Sequence, residues 1–341
     1  MPTVPVRNLA TEAEREAFSS QFALAKLGVS SLCLDLHTGD FFQLNATSAH
    51  ICAALLGGKA VEDVEQMLCR EYGLSPARAG EDVGNVLAQL RAQYPVRETP
   101  RLQFKRAAQR WRMHWDGAPV LDFDPRLEEV FWARSRASAD EVASWLRVAV
   151  PHLLVHRGHP VLHASAVRLG RELVGFCGPS GSGKSTCASL LCETGAVLVS
   201  EDLLVVQLEG APEAFLGGEG VLREWAAKTA RRLGHHPCPV RLGELVEQLC
   251  GPTVRLSRII FLDEHRRTGS SIALEQLSMT EAAAALLENG FGELGDQQLW
   301  RNLLRFSSEL ALQVPAYRGI VPAGMDPLRA ALKRYRTSFR S

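Results

Sequence analysis

The nine residues Gly178-Pro-Ser-Gly-Ser-Gly-Lys-Ser-Thr186 decide how the rest of this sequence is interpreted. They fit the spacing G-x-x-x-x-G-K-[ST], and they stand between a predicted strand at 171–177 and a predicted helix at 187–192. Glycines let the backbone wrap closely enough for its N–H groups to point at phosphate oxygens, and the start of a helix adds partial positive charge. The stretch therefore predicts a phosphate-binding loop (P-loop) for a nucleotide.

The motif also predicts which residues bind the nucleotide. Lys184 is expected between the β- and γ-phosphates, and the Ser185 hydroxyl is expected to ligate Mg²⁺. The full set of expected nucleotide contacts is Gly178, Ser180, Gly181, Ser182, Gly183, Lys184, Ser185 and Thr186. The predicted cofactors are ATP, or another nucleoside triphosphate, and Mg²⁺.

An acidic pair follows the loop. The apolar run at 196–200 ends in Glu201-Asp202, and a second apolar run occupies 203–208. Two adjacent acids between buried strands are costly unless a cation or a hydrogen-bond partner awaits them. At the end of a strand beside a P-loop, that partner is the magnesium–nucleotide complex. The alternative is an ordinary polar junction between a strand and a turn.

His163 lies in the apolar run 161–167, upstream of the loop. A lone histidine in such a run is usually a core residue, but the loop and the acids make it a candidate for the site. This trio, at these spacings, resembles HPr kinase/phosphorylase and its relatives. The resemblance is best over 155–210 and implies an α/β P-loop kinase core with a mixed sheet. Later strands of that core are expected at 222–225, 258–262 and 314–317.

The resemblance implies catalytic roles, in addition to that of Lys184. The first acid, here Glu201, would act as base toward an acceptor serine hydroxyl. The second, here Asp202, would lie by the phosphates and share the metal with Ser185, and His163 would assist near the γ-phosphate. Glutamate replaces the family's aspartate at the first position and is one methylene longer. This leaves open whether Glu201 or Asp202 is the base.

Two departures separate this sequence from that family. The glycine-containing signature that follows the acidic pair there, and that is tied to phosphorolysis, has no good match here. The N-terminal third does not resemble the family's own N-terminal domain. We therefore expect a kinase with a different substrate adaptor rather than a bifunctional regulator of HPr. Arg223 is a further candidate for phosphate contact, with a surface position on a helix as the alternative.

The N-terminal hundred residues follow a regular pattern. Leucines alternate over 32–36 as in a half-buried strand, 37–40 has turn residues, and 41–44 provides the returning strand of a hairpin. Three helices are expected next, the first capped by Asn45 and the third starting at Ser75-Pro76. The stretch therefore predicts a small hairpin followed by three helices.

This order, with Leu34-Asp-Leu-His-Thr-Gly-Asp-Phe-Phe-Gln-Leu-Asn45 leading into the helices, resembles the PqqD-type peptide chaperones over about 25–95. These are also called recognition elements for ribosomally made and post-translationally modified peptides (RiPPs). The resemblance implies a small α+β, winged-helix-like domain. It would hold the leader of a precursor peptide as an extra strand beside the hairpin, under the third helix. A generic winged-helix-like domain for dimerisation or DNA contact is the alternative, and the acidic balance argues against DNA.

Charge is distributed unevenly along the 341 residues, although Lys+Arg and Asp+Glu both number 38. Residues 1–100 hold 8 Lys/Arg against 12 Asp/Glu, and the stretch 101–115 contains no acid at all. We expect a peptide-recognition domain at 1–98, a linker with the first elements of the kinase module at 99–150, and the P-loop kinase domain at 151–341.

Composition argues against several classes of protein. No run of 18 or more apolar residues predicts a membrane span, and the N-terminus lacks the basic and apolar segments of a signal peptide. Eight scattered cysteines without metal-ligand spacing indicate reduced thiols and a cytoplasmic location. A formal charge of +0 argues against a non-specific nucleic-acid partner. A homo-oligomer stays open.

Together these patterns predict an ATP- and Mg²⁺-dependent kinase that transfers the γ-phosphoryl group to a Ser or Thr hydroxyl of a precursor peptide held through its leader. Tethering the leader would raise the local concentration of the acceptor segment to about millimolar. One alternative is a small-molecule kinase, or a phosphoenolpyruvate-carboxykinase-like nucleotide enzyme, whose first domain dimerises. The other is a nucleotide-regulated peptide-binding chaperone without phosphotransfer.

Overall fold

The computed structural model describes residues 12–27, 30–36, 41–91, 102–107, 110–115, 118–124, 129–132, 138–179, 181–216, 218–232, 239–241, 243–263, 271–291 and 296–337. These residues form two compact units. The first contains the described residues up to 91 together with 278–287 and 296–312, and the second contains the remainder. The predicted domain boundary near 98 lies outside the described residues and stays a prediction.

The described helices and strands are numbered here in chain order. The helices are α1 (Glu12–Gln21), α2 (Ala46–Leu56), α3 (Val61–Tyr72), α4 (Pro76–Arg91), α5 (Ala139–His156), α6 (Lys184–Glu193), α7 (Gly218–Arg232), α8 (Gly243–Leu249), α9 (Met279–Asn289), α10 (Gln297–Gln313) and α11 (Met325–Thr337). The strands are β1 (Phe22–Leu27), β2 (Ser30–Asp35), β3 (Phe41–Leu44), β4 (Leu102–Ala107), β5 (Arg110–Trp115), β6 (Ala118–Asp124), β7 (Glu129–Trp132), β8 (Val161–Leu169), β9 (Glu172–Cys177), β10 (Val197–Ser200), β11 (Leu203–Gln207), β12 (Glu213–Phe215), β13 (Pro239–Arg241), β14 (Thr253–Leu262), β15 (Ala273–Gln276) and β16 (Ala316–Ile320).

The first unit contains the predicted hairpin and the three helices that follow it. Strands β2 and β3 pair antiparallel, and β1 extends the sheet on the other side of β2. Asn45 caps α2 as predicted, because its Oδ1 accepts a hydrogen bond from the N–H of Ser48 at 2.8 Å. Helix α4 begins at Pro76. The predicted turn at 37–40 lies outside the described residues, and α1 and β1 are additions that the sequence pattern did not predict.

Two helices from late in the chain belong to the first unit as well. They are most of α9 and α10. Thr280, buried in the first turn of α9, donates its hydroxyl to the carbonyl oxygen of Leu27 at the end of β1, at 3.4 Å. On α10, Arg301 Nη2 lies 3.4 Å from the carbonyl oxygen of Ser20. The first unit is therefore assembled from segments that are far apart in the sequence.

The second unit is built around a mixed sheet. Strands β9, β14 and β16 are parallel, and β8 runs antiparallel to β9. Strand β8 pairs with β9 through 164–169 and with β11 through 161–163. Because β11 also pairs with β12, and β12 with β14, these strands close a ring. The ring places β8 between the strand that leads into the P-loop and the strand that follows the acidic pair.

The prediction of a strand at 222–225 in the kinase core is wrong. Residues 222–225 lie inside α7, where Leu222, Ala226 and Thr229 are buried at helical spacing. A window of four residues is too short to show that period. The strands expected at 258–262 and 314–317 overlap β14 and β16.

A separate antiparallel sheet, in the order β13–β7–β6–β5–β4, also belongs to the second unit. Arg112 on β5 and Asp122 on β6 form a bidentate ion pair across it, at 2.7 and 2.8 Å. Helix α5 follows and starts with a capping box between Ser138 and Glu141. None of the helices in the described parts of the chain has the length and apolar character needed to cross a membrane.

Candidate active site

The predicted P-loop joins β9 to α6 through a tight backbone turn. Gly178, Gly181 and Gly183 have φ angles of 137°, 84° and 96°, which residues with a Cβ rarely adopt. A Cβ at Gly178 would also stand 2.7 Å from the carbonyl oxygen of Leu262 on β14. The loop conformation therefore depends on glycine at three positions, two of which the motif specifies. Ser180, an expected nucleotide contact, lies outside the described residues.

Lys184 is the first residue of α6, and its side chain turns back into the loop. Its Nζ donates to the carbonyl oxygens of Gly178 at 2.7 Å and Pro179 at 3.0 Å. Burial lowers the pKa of its ammonium group, while Cys177 and Asp202 act in the opposite direction. The lysine charge is therefore held against the loop backbone and within electrostatic reach of Asp202.

The Ser185 hydroxyl, in the first turn of α6, lies beside β8. Its Oγ is 3.5 Å from the Oγ of Ser165, a fully buried residue of that strand. Ser165 in turn donates to the carbonyl oxygen of Glu201 at 2.6 Å. Ser165 therefore contacts both the P-loop helix and the acidic pair. Of the other expected nucleotide contacts, Thr186 is half-buried and Ser182 is buried.

Glu201 and Asp202 form the turn between β10 and β11. The N–H of Ala164 donates to the carbonyl oxygen of Asp202 at 3.2 Å, and the Ser200 hydroxyl donates to the carbonyl oxygen of Ala164 at 3.1 Å. Together with the Ser165 bond, these contacts fix the turn to β8 at three points. Strand β8 thus satisfies the backbone of the turn, while the two carboxylate side chains stay partly exposed and lie beside arginines.

Asp202 lies between an arginine and a histidine. Its Oδ2 is 3.3 Å from Nε of Arg147 on α5, and its Oδ1 is 3.8 Å from Nε2 of His163 on β8. The second distance exceeds hydrogen-bond length, and the contact is an ion pair when His163 is protonated. His163 holds the pKa of Asp202 below its usual value; burial opposes this, and Arg147 and Lys184 add to it. These neighbours stabilise Asp202 as a carboxylate.

Glu201 contacts a different cation. Its Oε2 is 3.3 Å from Nη2 of Arg223 on α7, whose side chain is 63% exposed. A pair at such exposure is worth about 0–1 kcal/mol, so it constrains Glu201 weakly. Arg223 is thus a surface arginine on a helix, and at the same time a neighbour of the acidic pair.

Three residues of the site were not among the sequence candidates. Arg147 lies beside Asp202, Ser165 joins the loop helix to the acidic turn, and Asn289 Oδ1 accepts a hydrogen bond from the N–H of Gly178 at 2.9 Å. Ser165 had a usable signal, because residues two apart in a strand share a face and His163 was already a candidate. Arg147 and Asn289 lie in helices without a motif, far from the loop in sequence.

The residues present fit a nucleotide-associated Mg²⁺ better than a metal enclosed by protein side chains. Across the described residues, no group of three or more His, Cys, Asp or Glu could hold a metal ion. Mg²⁺ takes oxygen ligands, usually one or two from the protein and the rest from phosphates and water. Ser185 and Asp202 offer such oxygens, and both lie next to β8.

Comparison with known proteins finds two likenesses. Residues 31–94 match the family model of coenzyme PQQ synthesis protein D (PqqD), which confirms the resemblance predicted from the hairpin and its helices. No curated protein matches the chain. Among solved structures, the Hpr(Ser) kinase/phosphatase from Coxiella burnetii is similar at 12% sequence identity and a TM-score of 0.27, over 53% of this chain and 99% of that chain. That enzyme belongs to the kind of kinase that the P-loop, the acidic pair and His163 resemble in sequence.

Proposed function

We propose that this chain is an ATP- and Mg²⁺-dependent kinase that phosphorylates a Ser or Thr hydroxyl of a ribosomally made precursor peptide. The observation that carries the proposal is the meeting of the P-loop helix and the acidic turn on β8, through Ser185, Ser165 and Glu201. Phosphoryl transfer needs a phosphate-binding loop and a base close together, because positioning and charge neutralisation supply most of the catalysis. This arrangement supports phosphotransfer over nucleotide binding alone.

We assign the role of base to Glu201. The lowered pKa of Asp202 makes it a weak proton acceptor but a suitable metal ligand and counter-charge. Glu201 is held by a weak pair with the exposed Arg223 and has the longer side chain, so it can follow an acceptor hydroxyl. This assignment gives the two adjacent acids different roles.

In the proposed step, the acceptor oxygen forms a bond to the γ-phosphorus while the bond from that phosphorus to the β–γ bridging oxygen breaks and ADP leaves. Glu201 takes the proton of the acceptor hydroxyl. Lys184 and the N-terminal end of α6 offset phosphate charge. Mg²⁺, held by Ser185 and Asp202, would supply further neutralisation of the phosphates when bound. Arg147 and His163 keep Asp202 ionised for that role.

The first unit supports a peptide as the substrate. Residues 31–94 match PqqD, and β3 is an outer strand of the sheet β1–β2–β3. An outer strand offers N–H and C=O groups to an incoming peptide strand. We place the leader beside β3, in the groove under α4. A bound leader would keep the acceptor segment at a local concentration of about millimolar.

The proposal is tested with the full chain, γ-labelled ATP, Mg²⁺ and the candidate precursor peptides encoded beside its gene. We expect label on a Ser or Thr of one peptide, located by mass spectrometry, and no transfer by the Lys184→Ala variant. Transfer to a small molecule and to no peptide would instead indicate a small-molecule kinase. Nucleotide-dependent peptide binding without any transfer would indicate a chaperone.

A further inference from the structure

Ser165 is a buried polar residue for which the proposed reaction has no direct use. It lies in the middle of β8 with no exposed surface. Its Oγ is 2.6 Å from the carbonyl oxygen of Glu201 and 3.5 Å from the Oγ of Ser185. A carbonyl oxygen only accepts hydrogen bonds, so the single proton of Ser165 must point at Glu201.

The direction of that bond determines what Ser165 can offer to Ser185. With its proton committed, Ser165 presents lone pairs to the neighbouring hydroxyl, and the proton of Ser185 is attracted toward Ser165. The distance of 3.5 Å is longer than a full hydrogen bond between hydroxyls, so the contact orients the Ser185 hydroxyl rather than immobilising it.

A hydroxyl that ligates a cation must turn its oxygen lone pairs toward the cation and its proton away. From this geometry we infer that Ser165 is a positioning residue for cation binding, which acts through Ser185. It gives the Ser185 proton an acceptor on the β8 side and leaves the Ser185 lone pairs for the metal. The same hydroxyl ties the metal-binding serine to the turn that carries Glu201 and Asp202. This inference rests on the proposed function, because it concerns the Mg²⁺ of the same site.

The test is the binding of a non-hydrolysable ATP analogue to the full chain, measured by calorimetry with and without Mg²⁺. The substitution Ser165→Ala removes the acceptor. We expect it to reduce the gain in nucleotide affinity that Mg²⁺ provides by about two- to threefold, the low end of what one hydrogen bond contributes, because the contact is long. Affinity in the presence of EDTA should stay that of the wild type, because Ser165 does not contact the P-loop backbone in this account.

Thr194→Val is the control. Thr194 follows the C-terminal end of α6, in the same unit, and its hydroxyl also donates to a backbone carbonyl oxygen, that of Leu191, at 2.7 Å. Its loss should remove a comparable hydrogen bond and leave the effect of Mg²⁺ unchanged. Equal effects of both variants on the Mg²⁺ response would overturn the inference, since they would reflect general loosening of the second unit.

A double-mutant cycle separates action through Ser185 from an independent effect. In the Ser185→Ala background, Ser165→Ala should cause no further loss of the Mg²⁺ response. Additive losses would contradict the inference while leaving the proposed kinase intact. If the wild-type chain itself showed no Mg²⁺-dependent nucleotide binding, the proposed function would fail first, and the inference with it.

Discussion

Buried polar side chains are distributed differently in the two units. Among the described residues of the first unit they are scattered over β2, α9 and α10, as Ser31, Asp35, Thr280 and Ser307. In the second unit most of them surround one place, where β8, the P-loop and the end of β10 meet, as Ser165, Ser182, Lys184 and Ser200. Buried polar groups are costly unless they are satisfied, so such a concentration favours a functional site at this place.

This difference predicts how each unit acts on its ligand. In the proposed function, the first unit binds a peptide through the backbone of an outer strand, which depends on the fold as a whole. The second unit acts through individual side chains that converge from five or more elements. Single substitutions should therefore remove activity in the second unit and mostly change stability in the first.

The largest expected effect is at the acidic pair. Glu201→Gln and Asp202→Asn should each reduce the rate of phosphotransfer by about 10²–10⁴-fold, because each removes a charge that the reaction needs. Rates are measured with labelled ATP, and leader affinity is measured in parallel by calorimetry. Glu209→Gln, at an exposed acid after β11, is the control and should behave as wild type. Loss of leader affinity in the two site variants would contradict the proposal that the first unit binds the leader and the second transfers the phosphoryl group.

Two glycines of the P-loop allow a matched comparison. Gly178→Ala adds a Cβ that meets a backbone carbonyl at 2.7 Å, whereas a Cβ at Gly181 meets nothing within 4 Å and is disfavoured only by its positive φ. We expect Gly181→Ala to cost about 1–2 kcal/mol of the free energy of unfolding and Gly178→Ala to cost more. Chemical denaturation measures both variants. A smaller loss for Gly178→Ala would mean that close packing on β14 does not shape the loop.

In the first unit, the cap of α2 contributes to stability and has no role in the proposed reaction. Asn45→Ala should lower the free energy of unfolding by about 1 kcal/mol, because the N–H of Ser48 loses its acceptor. Asn45→Asp keeps an acceptor and should restore most of the loss. Nucleotide affinity should be the same in all three proteins. A change in nucleotide affinity would show that the two units are not as separable as proposed.

The smallest expected effect is the pH dependence of Asp202. Because its folded pKa lies below the unfolded value of about 4, its carboxylate stabilises the fold above that value, and the contribution is lost as the pH falls through the folded pKa. The stability difference between wild type and Asp202→Asn should be present at pH 5 and should shrink as the pH falls below about 4. A difference that grows as the pH falls below about 4 would contradict the lowered pKa.

The sequence pattern was sufficient where structure is local. The alternating leucines of β2, the cap at Asn45 and the start of α4 at Pro76 each depend on neighbours in the chain, and all three were predicted. The glycines of the P-loop and the position of the acidic pair could be predicted for the same reason. Where a window was too short to show a period, as at 222–225, the prediction failed.

The sequence pattern did not predict which distant residues come together in the folded chain. Arg147 and Asn289 reach the site from α5 and α9, and nothing in their own sequence surroundings indicates a partner in the loop or the acidic turn. The membership of α9 and α10 in the first unit is of the same kind, since it depends on packing between segments that are distant in the sequence. The strand ring brings β8 between β9 and β11, and this explains why His163 and Ser165 lie at the site.

The most direct test compares the initial rate of phosphorylation of a full precursor peptide with that of its core segment without the leader, both at the same low micromolar concentration. If the first unit holds the leader for the second, the leaderless core should be phosphorylated roughly a hundredfold more slowly, and millimolar core should recover much of the rate. Equal rates with and without the leader would contradict the account.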